Sequence, residues 1–221
     1  MAPDLPQTEI AIVEMTNAFR KASALQEVKP SPVLAAAARA FAQYLAKSGK
    51  FGHEADGRAP DKRAQAEGYQ ACMVAENLAW NADSRGFQTK QLAGEIVEGW
   101  KDSPPHRENL LLPEATEIGV AVVPAPYKIQ KFIAVQLFGR PESEKIRFAI
   151  RNTTRVQVRY SVGEETDTIE PSASVNYGVC DLPNLVFERG GAPIRLTPRD
   201  GDRFVIRAAK ERAFEVDVIA K

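Results

Sequence analysis

Three stretches of the chain place apolar residues three and four apart. Ile10, Val13, Ala18 and Phe19 do so up to about residue 22, which predicts a first helix capped by Asp4 or Thr8. The alanine-rich stretch 33–47 sets Leu34, Ala38, Phe41 and Leu45 on one face. It predicts a second helix, with Ser31 as N-cap, Pro32 at the first helical position and an end at Ser48-Gly49. Leu92, Ile96 and Trp100 predict a third over 87–102, stopped by Ser103-Pro104-Pro105 because proline disfavours helix in the residue before it. Between the second and third, Pro60 and the polar run 61–67 predict a short helix ending at Gly68. Residues 73–80 read as a short strand or extended piece.

The period then changes from helical to alternating. The β-branched run 118–123 and the run 131–138, joined by a turn at 124–127, predict a hairpin. Residues 139–144 read as a linker. Beyond it Ile146, Phe148 and Ile150 alternate, as do Val156, Val158 and Tyr160. Further short strands are expected over 174–180, 185–187, 193–196, 203–207 and 214–219, with turn signals at Gly163, Pro183, Gly190-Gly191 and Asp200-Gly201. The pattern predicts an α+β domain over 9–140 and a small all-β domain, sandwich or barrel, over 145–221.

Composition narrows the function classes. With 29 basic and 29 acidic residues the formal charge is zero, so the cationic footprint of nucleic-acid binding is missing. No apolar run reaches the roughly 18 residues of a membrane span. The opening Met1-Ala2-Pro3-Asp4-Leu5-Pro6 carries no basic and apolar leader pattern. The two cysteines, Cys72 and Cys180, permit one disulfide and are equally read as two buried thiols.

Four clusters carry chemistry. They are Phe51-Gly52-His53-Glu54-Ala55-Asp56-Gly57-Arg58 with Gly68-Tyr69; Ala75-Glu76-Asn77-Leu78; Gly99-Trp100-Lys101-Asp102-Ser103-Pro104-Pro105-His106-Arg107-Glu108-Asn109; and Glu117-Ile118-Gly119-Val120 with Gln136-Leu137-Phe138-Gly139. In this order they resemble the CAP superfamily: cysteine-rich secretory proteins, antigen 5 and pathogenesis-related proteins. The Ser-Pro-x-His-Arg-x-Asn turn after a helix ending in Trp resembles bacterial members. The resemblance covers 9–140 and implies a three-layer α/β/α sandwich with an antiparallel sheet.

It also implies a cleft lined by a His, Glu, Glu, His tetrad. His53, Glu76 and His106 match three of its members. The second glutamate has no counterpart: Ser103 stands at the position where animal and plant members place it, and Asp102 and Glu98 are the nearest carboxylates. Two imidazoles and a carboxylate brought together by folding can hold Zn²⁺ or another divalent metal, leaving a position open for water. The same His53, Glu76 and His106 can instead form a metal-free hydrogen-bonded network or act as general acid and base. Asn77 reads as a structural residue, Trp100 as core, and Arg58 and Arg107 as loop clamps. A Ser103–His106 hydrolase lacks a nucleophile elbow, and Cys72 beside His53 is a weaker nucleophile candidate still.

Three functions follow as expectations. The first is a binding module whose cleft takes a small, lipid-like ligand or a metal, with the β domain contacting a protein or cell-surface partner. The second is a metal-dependent hydrolase using the same cleft. The third is an interaction protein with a vestigial cleft. Fold resemblance alone does not choose among them. The family implies a secreted or periplasmic protein with its leader removed.

Overall fold

The computed structural model describes residues 2–180, 184–209 and 214–220. The turn signal at Pro183 lies outside the described residues. The chain divides into two units, Met1–Glu142 and Ser143–Lys221.

In the first unit, α1 (Leu5–Ala22) starts at Asp4, whose carboxylate accepts from the Gln7 N–H, satisfying one orphan donor of the first turn. Before the second helix the chain forms a two-residue strand, β1 (Lys29–Pro30). Then come α2 (Pro32–Ser48), closed by Gly49 in the left-handed region, and the short α3 (Pro60–Ala66). The piece expected to be short is a thirteen-residue strand, β2 (Ala71–Asp83). Its apolar runs 71–75 and 78–80 are split by Glu76-Asn77 and followed by the polar-rich Asn81-Ala82-Asp83, so no continuous apolar stretch marks its length.

The third long helix is α4 (Thr89–Asp102). The double proline does not leave a loop behind it: Ser103 caps a second helix, α5 (Pro104–Leu110), because proline is at home in a first turn that lacks partners for its N–H groups. The hairpin follows as β3 (Glu117–Pro124) and β4 (Gln130–Pro141). Residues 139–141, expected in a linker, belong to β4.

The sheet runs β1-β3-β4-β2 and is antiparallel except where β1 lies parallel to β3. Alternation sends Ile118, Val120, Val122 and Phe138 to one face, against Ile12 of α1 and Leu92, Ile96 and Trp100 of α4. It sends Ala121, Val123, Ile133, Val135 and Leu137 to the other, against Leu34, Phe41 and Leu45 of α2. The result is the three-layer α/β/α sandwich. The α2 layer comes close to the sheet because Gly119 has no side chain; a Cβ there would stand 2.2 Å from the Leu34 carbonyl carbon.

The second unit is all β. Its strands are β5 (Ile146–Asn152), β6 (Val158–Val162), β7 (Glu165–Ile169), β8 (Ser174–Val179), β9 (Leu185–Phe187), β10 (Ile194–Leu196), β11 (Arg203–Arg207) and β12 (Glu215–Ile219). They form two four-stranded sheets, β10-β9-β6-β7 and β12-β11-β5-β8. One core holds Phe148 and Ile150 of β5, Tyr160 of β6, Phe187 of β9 and Phe204 of β11, so the unit is a sandwich rather than a barrel. Both cysteines are disulfide-bonded and neither is a free thiol. This overturns the two-thiol reading and removes Cys72 as a nucleophile.

Candidate functional site

The site is built at β2, the outer strand of the first sheet. Glu76 points from this strand toward the α2 and α3 layer and is only 4 % exposed. A carboxylate at such depth needs partners, and it has two. Oε2 accepts from Arg63 Nη2 at 2.7 Å, and Oε1 lies 2.9 Å from His53 Nδ1. Arg63 is itself buried, stacks over the Phe41 ring at 3.5 Å and donates to Asp56 Oδ1 at 3.0 Å. Burial raises the Glu76 carboxyl above its ordinary value, and the charges of Arg63 and His53 act in the opposite sense.

His53 sits in the loop between α2 and α3, with its side chain 52 % exposed. With Nδ1 turned to Glu76, its Nε2 is the ring nitrogen left for a ligand or proton. His106 is carried by α5. Desolvation, and then the charge of His53, lower its pKa below the ordinary imidazole value.

The backbone of His106 is held by a buried amide chain. Asn77 Nδ2 donates to the His106 carbonyl and to Gln136 Oε1, and Gln136 Nε2 donates to Thr16 Oγ1. Asn109 donates to Asn77 Oδ1 and to the Glu76 carbonyl. Asn77 is therefore the structural residue its context suggested, positioning His106 through the main chain. Behind α5, buried Arg20 donates to the carbonyls of Leu110 and Leu112. Trp100 is core, with its indole N–H on the Leu78 carbonyl. Arg58 clamps its loop through Asp56, and Arg107 lies over the Phe19 ring.

A groove of about 290 Å³ runs along β2 beside α4, lined by Phe51, Trp80, Asn81, Glu95, Ser103 and His106 among others. Trp80 is 56 % and Phe51 49 % exposed. Neither carboxylate considered from the sequence as the fourth tetrad member lines this groove: Glu98 is ion-paired with Lys101 on the helix surface, and Asp102 is exposed. The carboxylate that α4 does bring there is Glu95, one turn before Gly99. A second, more apolar groove of about 440 Å³ opens between α1 and α2 at the other edge of the sheet, lined by Ile10, Val13, Pro32, Ile118 and Val120 among others.

Arg63, Asp56 and Glu95 were not singled out by the sequence. Arg63 stands in the polar run Asp61-Lys62-Arg63, and only its companion Ala64, equally buried, hints that this turn faces inward.

The sequence profile of the cysteine-rich secretory protein family, CAP, matches residues 13–138, more than half of the chain and all of the first sheet but the end of β4. The chain belongs to the CAP family. Its CAP domain is 31 % identical to the protein YkwD of Bacillus subtilis (strain 168) over 116 residues, 52 % of this chain and 42 % of that one. The chain thus spans less than half the length of that curated relative. Among solved structures it is similar to an extracellular protein containing a SCP domain from Bacillus anthracis, with TM-score 0.50 and 23 % identity, covering 62 % of this chain and 41 % of that one. It is also similar to an outer surface protein from Borrelia burgdorferi, with TM-score 0.49 and 22 % identity, covering 59 % and 90 %. The match is to CAP domains of bacterial type.

Two imidazoles and a carboxylate suit a divalent metal, and the donor set of His53, Glu76 and His106 tests that option. Both Glu76 oxygens are already engaged, one by a guanidinium that neutralises the charge a cation would seek. Among the described residues no group of three or more His, Cys, Asp or Glu is arranged to hold an ion. Glu76 does not fit as a ligand. Its place is behind His53, fixing the ring.

Proposed function

We propose that the protein is an exported CAP-domain binding module that takes a small amphipathic, lipid-like ligand in the groove beside His106. The observation that carries this reading is the engagement of Glu76. It is buried and bound on both oxygens, so it is not free to deprotonate a water or a substrate. What remains open to solvent is a half-apolar groove: Trp80 and Phe51 offer apolar surface, and Asn81, Glu95, Ser103 and His106 offer polar groups at its rim. That mixture suits a ligand with an apolar body and a polar end. Export is supported by the disulfide state of both cysteines, which suits an oxidising compartment, and by the extracellular character stated for the Bacillus anthracis neighbour.

Trp80 makes the test direct. The chain has two tryptophans and Trp100 is buried. Titration with a lysolipid and fatty-acid panel is expected to blue-shift the Trp80 emission, and a Trp80→Phe variant to lose the shift. Calorimetric binding with unchanged Trp80 emission would place the ligand in the groove between α1 and α2 instead. No binding across the panel removes the lipid reading.

A second reading rests on the His53–Glu76 pair. A carboxylate behind Nδ1 holds an imidazole so that Nε2 faces outward, which is the arrangement of a general base acting on water. Hydrolysis of an ester or peptide panel that disappears in His53→Ala would favour it over binding alone.

A further inference from the structure

The outer face of the sheet β12-β11-β5-β8 carries a charge pattern that the CAP domain does not explain. Alternation turns Phe148 and Ile150 of β5 into the core and Arg147, Ala149 and Arg151 outward. On β11 it turns Arg203 and Arg207 outward. β11 lies parallel to β5 with Arg203 beside Ala149, and β8 lies on the other side with Gly178 beside Arg147 and Asn176 beside Ala149. Arginines therefore surround a floor of Ala149 and Gly178 that has almost no side chain. A groove of about 540 Å³ lies over that floor, with Arg147, Arg203 and Asn176 on its walls; the buried Asp202 also lines it, its carboxylate accepting the Arg199 N–H.

The arginines differ in how they are balanced. Arg207 is paired with Asp217 at 2.9 Å, and on the other sheet Arg159 is paired with Glu188. Arg147, Arg151 and Arg203 have no carboxylate partner among the described residues. Arg147 and Arg151 are four residues apart on one strand, roughly 13 Å along it, and Arg203 lies on the neighbouring strand. Unbalanced like charges on a rigid sheet favour an anionic partner with charges at repeated intervals.

Asp200 narrows the class. It lies beside Arg147, accepting the Arg147 backbone N–H on Oδ1, and it lines an adjoining hollow with Arg147 and Arg203. A carboxylate next to the arginines repels any anionic group set over it and accepts from a hydroxyl, so a ligand that alternates acid groups with hydroxyls suits the pair better than a bare anion. Guanidinium, carboxylate and amide together match a ligand that carries acid groups and hydroxyls on the same unit. The arginines and the hydroxyl acceptors lie on one open sheet face, where an extended chain can meet both.

We infer that this face of the β domain binds an acidic polysaccharide, the acid groups held by Arg147 and Arg203, which line both hollows, and the sugar hydroxyls by Asn176 in one hollow and Asp200 in the other. The inference is independent of the ligand proposed for the CAP domain.

The test uses the full chain and oligogalacturonate as the probe, with neutral dextran oligomers, inorganic phosphate and phosphatidylglycerol vesicles beside it. Calorimetry is expected to show oligogalacturonate binding that weakens with salt, and no binding to dextran. The exposed double change Arg147→Gln and Arg203→Gln is expected to weaken that binding by about tenfold or more. Arg195→Gln, on the exposed face of β10 in the other sheet, is expected to leave it unchanged. Absence of oligogalacturonate binding overturns the inference. So does equal loss in Arg195→Gln, or tighter binding to phosphate or to the vesicles than to the sugar acid.

Discussion

Arg63 lies between two carboxylates, Asp56 and Glu76, while its plane covers Phe41. Removing one partner of a buried pair leaves the other charge uncompensated, which costs about 3–5 kcal/mol. Arg63→Ala is therefore expected to lower the unfolding free energy by about that amount in urea denaturation, and to loosen His53, whose Nδ1 depends on Glu76. A loss below about 1 kcal/mol would show that Glu76 finds other support. His106 gives a pH prediction. Desolvation and His53 lower its pKa from 6.5, so just below pH 6.5 the unfolded chain binds more protons at this residue than the folded one. Its contribution to stability then rises with pH through that window and is complete above about 6.5. NMR titration of the His106 ring is expected to give a midpoint below that of an unfolded-peptide histidine; a midpoint at or above it contradicts the desolvation of His106 in the fold.

At the scale of elements, the site depends on how closely α2 and α5 approach the sheet. Gly119 permits the first approach. Gly119→Ala would drive a methyl group into the backbone of Leu34, which only retreat of the helix can relieve. We expect a loss of about 3 kcal/mol or more, at the upper end for overpacking, measured as a drop in denaturation midpoint without a change of fold by circular dichroism. The second approach, that of α5, rests on polar contacts: the Asn77–Gln136–Thr16 chain and Arg20 on the carbonyls of Leu110 at the helix end and Leu112 beyond it. The long helices were legible because their apolar spacing is strict and their caps conventional. β2 and α5 were not. β2 carries Glu76 and Asn77 among apolar residues because two of its inward positions are polar and satisfied only by distant partners. In α5, proline was read as a stop although it also begins helices.

At the scale of the whole molecule, each unit has its own core. The clusters around the first sheet and the cluster of the β sandwich have no residue in common. A fragment of residues 1–142 with Cys72→Ser is expected to fold alone, with cooperative urea unfolding and the blue-shifted emission of buried Trp100. A fragment that exposes Trp100 in buffer would show that the first unit is not self-sufficient.

Local physics, and so the sequence, determined the helices with their caps, the change to alternating strands, the two-unit organisation and the motifs of the CAP family. Each of these depends on neighbours a few positions apart in the chain. Tertiary structure decided which groups work together. It committed Glu76 to Arg63 rather than leaving it open, brought Glu95 instead of Glu98 or Asp102 to the groove, oxidised the cysteines and gathered Arg147 and Arg203 on one sheet face. These outcomes depend on which distant segments share a face and how deeply each charge is buried, and no spacing along the chain encodes either.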